Sequence, residues 1–182
     1  MREDFKNVIL SQSLKSEMNL EVAFETYNNW KNILDTIVLN FFDVLKEPLE
    51  TELSRLSGTW SFELRQPLNR KSLLNIHLSN TNWEGLEFGI GDYDGDRVHF
   101  FVQYNTEVRM LLYSFITDRL GGRANLDIWF QRMDEPYNRW DNKLEGIIAI
   151  YKPDEFMEYT INKLLKLASI IEEFFSNAAN QL

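Results

Sequence analysis

Apolar residues recur at three- and four-residue intervals from Leu20 to Leu56: Leu20, Phe24, Tyr27, Trp30, Leu34, Ile37, Val38, Phe41, Leu45 and Leu49. That is the repeat of one helical face, and it predicts a single long amphipathic helix. Pro48 has no amide donor and crowds the preceding turn, so the helix is expected to kink there or a second one to begin. Positions 1–16 carry a weaker helical pattern, and residues 1–19 are expected as a loosely attached N-terminal helix on one domain spanning 1–182.

After Gly58 the period falls to two. Trp60, Phe62 and Leu64 alternate with polar neighbours, as do Leu74, Ile76 and Leu78, then Leu86, Phe88 and Ile90, then Val98, Phe100 and Val102. Alternation of this kind marks half-buried strands, and the short connections make an antiparallel meander of about four strands the economical topology. A three-residue loop Tyr93-Asp94-Gly95 sets Ile90, Phe88 and Leu86 opposite Val98, Phe100 and Val102, whereas a two-residue turn sets apolar rows against polar ones. The first register is therefore expected, with Gly95 left-handed in a G1 bulge.

Asn105 or Thr106 can cap a helix that runs to about Leu120 and stops at Gly121-Gly122. Strands over Leu126–Arg132 and Gly146–Tyr151 are expected next, separated by a polar and aromatic loop. Pro153 suits the first position of a closing helix that reaches about Ala178, with Asp154 and Glu155 favourable to its N-terminus. The order defines an α+β fold, an antiparallel sheet framed by a long N-terminal and a long C-terminal helix. The apolar stripe on the closing helix is wide enough, particularly at Phe174-Phe175, to suggest a homodimer unless the first long helix covers it.

The 182 residues carry 19 basic and 28 acidic side chains, a net charge of −9, and no cysteine. The acid excess runs through every third of the chain, interleaved with bases, so it disfavours nucleic acid without forming a DNA-like face. Lack of cysteine excludes disulfides, thiolate nucleophiles, zinc fingers and iron–sulfur clusters. Acidic residues at positions 3 and 4 with no long apolar run after them lead to the expectation of a cytoplasmic chain without a membrane span.

The densest carboxylate cluster is Asp92, Asp94 and Asp96 around Gly95. A metal-dependent hydrolase would build on such acids, yet the glycine comes too early for a calcium loop and Gln103 stands where its glutamate belongs. A solvated hairpin tip is the expectation. Gly89-Ile90-Gly91 starts like a dinucleotide fingerprint, but Asp94 replaces the third glycine and a strand follows. Room for neighbouring aromatics such as Phe101 is the better reading of those glycines.

His77 and His99 both fall on the polar face of the sheet, where His99 is expected diagonal to Glu87. No nucleophile or second acid is fixed beside them, so no catalytic set, metal site or cofactor is expected. Trp129, Arg132, Tyr137, Arg139 and Trp140 concentrate aromatics and guanidiniums in a largely loop segment, as protein-binding hot spots do. The alternative is that Trp129 and Trp140 plug the end of the core. The leading expectation is a non-enzymatic protein-binding or regulatory domain that uses this segment or the outer sheet face around Glu87, His99 and Phe101.

Two resemblances extend this reading. Trp83-Glu84-Gly85-Leu86-Glu87-Phe88, the strand Val98–Tyr104, Trp129-Phe130, Tyr137 with Trp140-Asp141 and the helix after Pro153 together resemble the region that follows the catalytic core in bacterial PD-(D/E)XK nuclease-like proteins. The nuclease signature itself is missing. Its Asp/Glu-X-Lys triplet, read at Asp141-Asn142-Lys143, comes ahead of the sole Pro-Asp pair, Pro153-Asp154, rather than after it. The resemblance therefore implies an accessory module of a nuclease-like or defence system. The element order is also similar to the type III secretion chaperones, which implies a homodimer binding an extended partner segment.

Overall fold

The computed structural model describes residues 11–56, 59–65, 75–92, 98–138, 148–149, 151 and 153–179. Helix α1 (Glu17–Ser54) leads into strands β1 (Trp60–Arg65), β2 (Asn75–Asn80), β3 (Leu86–Asp92) and β4 (Val98–Tyr104). Helix α2 (Arg109–Leu120), strands β5 (Arg123–Ala124) and β6 (Ile128–Arg132) and helix α3 (Pro153–Ala179) complete the order. The α+β architecture expected from the sequence is present. Its six strands form one antiparallel sheet in the order β1-β2-β3-β4-β6-β5.

Ser16 caps α1, its hydroxyl accepting from the Asn19 amide at 3.1 Å. Residues 17–19, expected in a separate N-terminal segment, thus open the long helix. The helix also continues through Pro48 without a second start. Leu45 and Leu49 on either side are fully buried, and their packing outweighs the roughly 3 kcal/mol that an internal proline costs.

The inner sheet face carries Ile76, Leu78, Leu86, Phe88, Ile90, Phe100, Val102 and Trp129, which meet α3 and the C-terminal half of α1 in one core. Phe156 of α3 stacks on Phe41 of α1 at 4.5 Å. α2 packs against α3, with Phe115 edge-on to Phe174 at 5.4 Å. Phe175 lies over Trp83 at 4.5 Å and edge-on to Tyr104 at 5.6 Å. Trp83, Tyr104 and Phe115 therefore cover part of the apolar stripe of α3 at Phe174-Phe175 within the chain.

Several local expectations change. β3 and β4 pair as Ile90↔Phe100 and Asp92↔Val98, so the connection is 93–97 and the register lies two residues from the one expected. Both registers keep the same faces, and side-chain alternation cannot separate them. The conformation of Gly95 lies outside the described residues. α2 starts at Arg109 after Val108, with no side-chain cap; Arg109 instead donates through its amide and guanidinium to the Thr106 carbonyl. Its C-terminus is as expected, Gly121 donating to Thr117 at 2.8 Å.

The strand expected at Leu126–Arg132 begins at Ile128, because Asn125 takes the Asp127 and Ile128 amides on its side-chain oxygen and turns β5 back onto β6. Ile148, Ala149 and Tyr151, expected in a last strand over Gly146–Tyr151, are helical. The second of the two late strands is β6 and the first is the two-residue β5, too short to leave a period in the sequence.

Candidate functional site

The outer face of the sheet is organised by cross-strand rows. Glu63, His77, Gly89, Phe101, Phe130 and Arg123 form one row across all six strands. Gly89 leaves a gap in it, across which the His77 and Phe101 rings meet edge to face at 5.1 Å. A Cβ on Gly89 would sit 1.8 Å from the Ile76 carbonyl oxygen, so the glycine also lets β2 and β3 approach. This agrees with the sequence expectation that glycine makes room beside Phe101.

Glu87 pairs with His77, not with His99: its Oε2 lies 3.0 Å from His77 Nδ1. The two-residue register difference is the cause, since it opposes Gly91 rather than Gly89 to His99 and carries His99 away from Glu87. His99 is 3% exposed and Phe101 6%, with His99 edge-on to Phe130 at 5.6 Å. Neither offers a free contact. Beside the His77–Glu87 pair lies an open recess of about 340 Å³ walled by Ser79, Asn80, Trp83 and Glu84.

Trp129 is fully buried on the inner face opposite Val102, and its indole N–H donates to the Gly121 carbonyl at 3.1 Å. It closes the core. Tyr137 is half-buried, stacked on Phe156 at 4.7 Å and beside Tyr159 at 4.8 Å. Tyr159 accepts the Asp134 amide on its hydroxyl at 2.9 Å, and burial pushes its phenol well above the ordinary tyrosine value. Burial raises Tyr113 in the same way; its hydroxyl accepts from the Tyr104 amide and donates to the Asp127 carbonyl. Both phenols stay neutral at ordinary pH, Tyr113 bridging the Tyr104 amide to the Asp127 carbonyl and Tyr159 holding the Asp134 amide. Arg132 is exposed. Arg139 and Trp140 lie outside the described residues, as do Asp94, Asp96 and the side chain of Asp92.

A second recess, of about 490 Å³, separates α1 from α3 and carries Glu47, Glu52, Asp154 and Glu158. Among the described residues no group of three or more histidine, aspartate or glutamate side chains is gathered to hold a metal ion. No described helix is long and apolar enough to cross a membrane.

An unusual surface lies on the helical face that the spacing from Leu20 to Leu49 marks as apolar. From Phe41 onward the apolar face of α1 is buried, yet before it Leu20 is 52% exposed, Phe24 62%, Tyr27 81% and Trp30 40%. Leu20, Phe24 and Tyr27 lie on the same side of the helix as Leu45 and Leu49, by the 100° step of an α-helix. One apolar pattern runs along the helix, and among the described residues its part from Phe41 onward is the part packed into the core. Isolated exposed apolar residues are ordinary, whereas a run of large ones along one face marks a contact surface.

Comparison of the chain with family models, with curated proteins and with solved structures finds no match in any of the three.

Proposed function

We propose that this chain is a cytoplasmic protein-binding or regulatory domain, not an enzyme, and that it engages its partner through the exposed apolar face of the first turns of α1. The observation that carries this reading is the solvent exposure of Leu20, Phe24, Tyr27 and Trp30 on a face that is core further along the same helix. Phe24, Tyr27 and Trp30 are the side-chain types that concentrate binding energy once water is excluded from them. The expected working surface therefore moves from the outer sheet face to α1. An accessory place beside a nuclease-like protein remains compatible with such a surface.

The test is affinity capture from native extract with the wild-type chain and with Phe24→Asp and Tyr27→Asp. These side chains lie outside the core, so the variants keep the thermal midpoint of the wild type within about 0.5 kcal/mol of stability. Loss of captured protein in both variants is expected; retention by both overturns the assignment of this face.

A thermal-shift series with magnesium, manganese and calcium separates this reading from a carboxylate-based hydrolase at Asp92, Asp94 and Asp96. No metal-dependent shift is expected. A shift that Asp94→Asn abolishes would transfer the function to that hairpin.

A further inference from the structure

We infer that the partner of the exposed α1 face is a second copy of this chain, paired antiparallel along the first turns of α1 and centred near Tyr27. The inference rests on the reading above that this face is a contact surface, and it names the occupant.

Spacing supplies the first argument. Positions 20, 24, 27, 31, 34, 38, 41 and 45 alternate intervals of four and three, and all but Lys31 are apolar. This is the seam that a second helix of the same pattern fits, side chain into gap. Because the seam is self-complementary, two copies can meet with one patch used twice, as a two-fold interface requires.

Area supplies the second. Phe24, Tyr27, Trp30 and Leu20 leave roughly 500 Å² in water on each copy, judged from their exposures and the ~150–250 Å² of an aromatic side chain. Complete burial of two such faces removes about 1,000 Å² before flanking positions are added, the minimum for a specific interface. The helix from 17 to 40 is about 36 Å long, enough to seat the contact clear of the core that begins at Phe41.

Charge sets the direction and argues against a lipid surface. Positions 17–40 carry Glu17, Glu21, Glu25 and Asp35 but only one base, Lys31. An amphipathic helix that binds anionic lipid needs the opposite balance. A parallel pair sets each glutamate against its own copy and Lys31 against Lys31. An antiparallel pair centred near Tyr27 brings position 31 of one copy level with position 23 of the other, two residues from Glu21 at the edge of the seam, base near acid.

The chain has no cysteine, so single cysteines report the pairing directly. Sedimentation of the full chain over about a hundredfold range of concentration is expected to show a monomer–dimer equilibrium that Phe24→Asp abolishes, the variant keeping at all concentrations the thermal midpoint of the dilute wild type. Under mild oxidation Tyr27→Cys is expected to cross-link to a covalent dimer and Leu20→Cys is not. Equal cross-linking of both variants would overturn the antiparallel arrangement. A wild-type monomer throughout the range overturns the second copy as occupant. If Phe24→Asp still loses captured protein from extract in that case, the contact-surface reading stands with a different partner; if it loses none, both fall.

Discussion

Replacing Trp129 with alanine is expected to destabilise the fold by about 3–5 kcal/mol, the cost of a large aromatic removed from a packed core. For a chain of this size that corresponds to a fall in thermal midpoint of roughly 6–20 °C. The site supports the upper part of that range. Trp129 has no exposed surface, its indole N–H is held by the Gly121 carbonyl, and Gly122 approaches its ring so closely that a Cβ there would lie 2.8 Å from it. Removing the indole leaves a void between α2 and β6 and takes the donor from the Gly121 carbonyl. Arg132, three residues on and exposed, is expected to change stability by no more than about 0.5 kcal/mol when replaced by alanine. Thermal unfolding of both variants is the check, and an unchanged midpoint in Trp129→Ala would return that side chain to the list of surface contacts.

Gly89→Ala is expected to be the most damaging single-methyl addition in the sheet, costing about 3 kcal/mol or more, the upper end of overpacking. The new Cβ would lie 1.8 Å from the Ile76 carbonyl oxygen and 3.4 Å from the His77 Cα. Backbone cannot retreat as a flexible side chain does, so β2 and β3 must separate. The change also fills the gap across which His77 meets Phe101. Gly121→Ala is the control: nothing lies within 4 Å of its Cβ, but its φ of +74° costs a side chain about 1–2 kcal/mol. Equal losses in denaturant titrations of the two variants would show that β2 and β3 tolerate the added methyl.

The outer-face pair shows how far local pattern carries. Alternation alone placed His77 and His99 on one face of the sheet, together with Glu87. Which histidine meets the carboxylate depends on register, and registers that differ by two residues have identical faces. The 93–97 connection decided it, opposing His99 to Gly91 and leaving Glu87 to His77. In the same way the aromatic density around Trp129 was legible as a cluster, but an indole that anchors a partner and one that plugs a core have the same sequence. The β5 turn was missed because its two residues have no period, although Asn125 ahead of Asp127 and Ile128 is the turn chemistry that could have signalled it.

The sequence by itself determined the type of almost every long element and the face each one turns inward, because helical and strand periods are local properties of the chain. Tertiary structure alone decided where those faces find cover. α1 has one apolar pattern from Leu20 to Leu53, yet the part from Phe41 to Leu53 meets the sheet and α3 while Leu20, Phe24 and Tyr27 meet water. Burial needs an opposing surface, and that surface is set by contacts between residues far apart in the chain. The part of the stripe left without one is where this protein's function is proposed to lie.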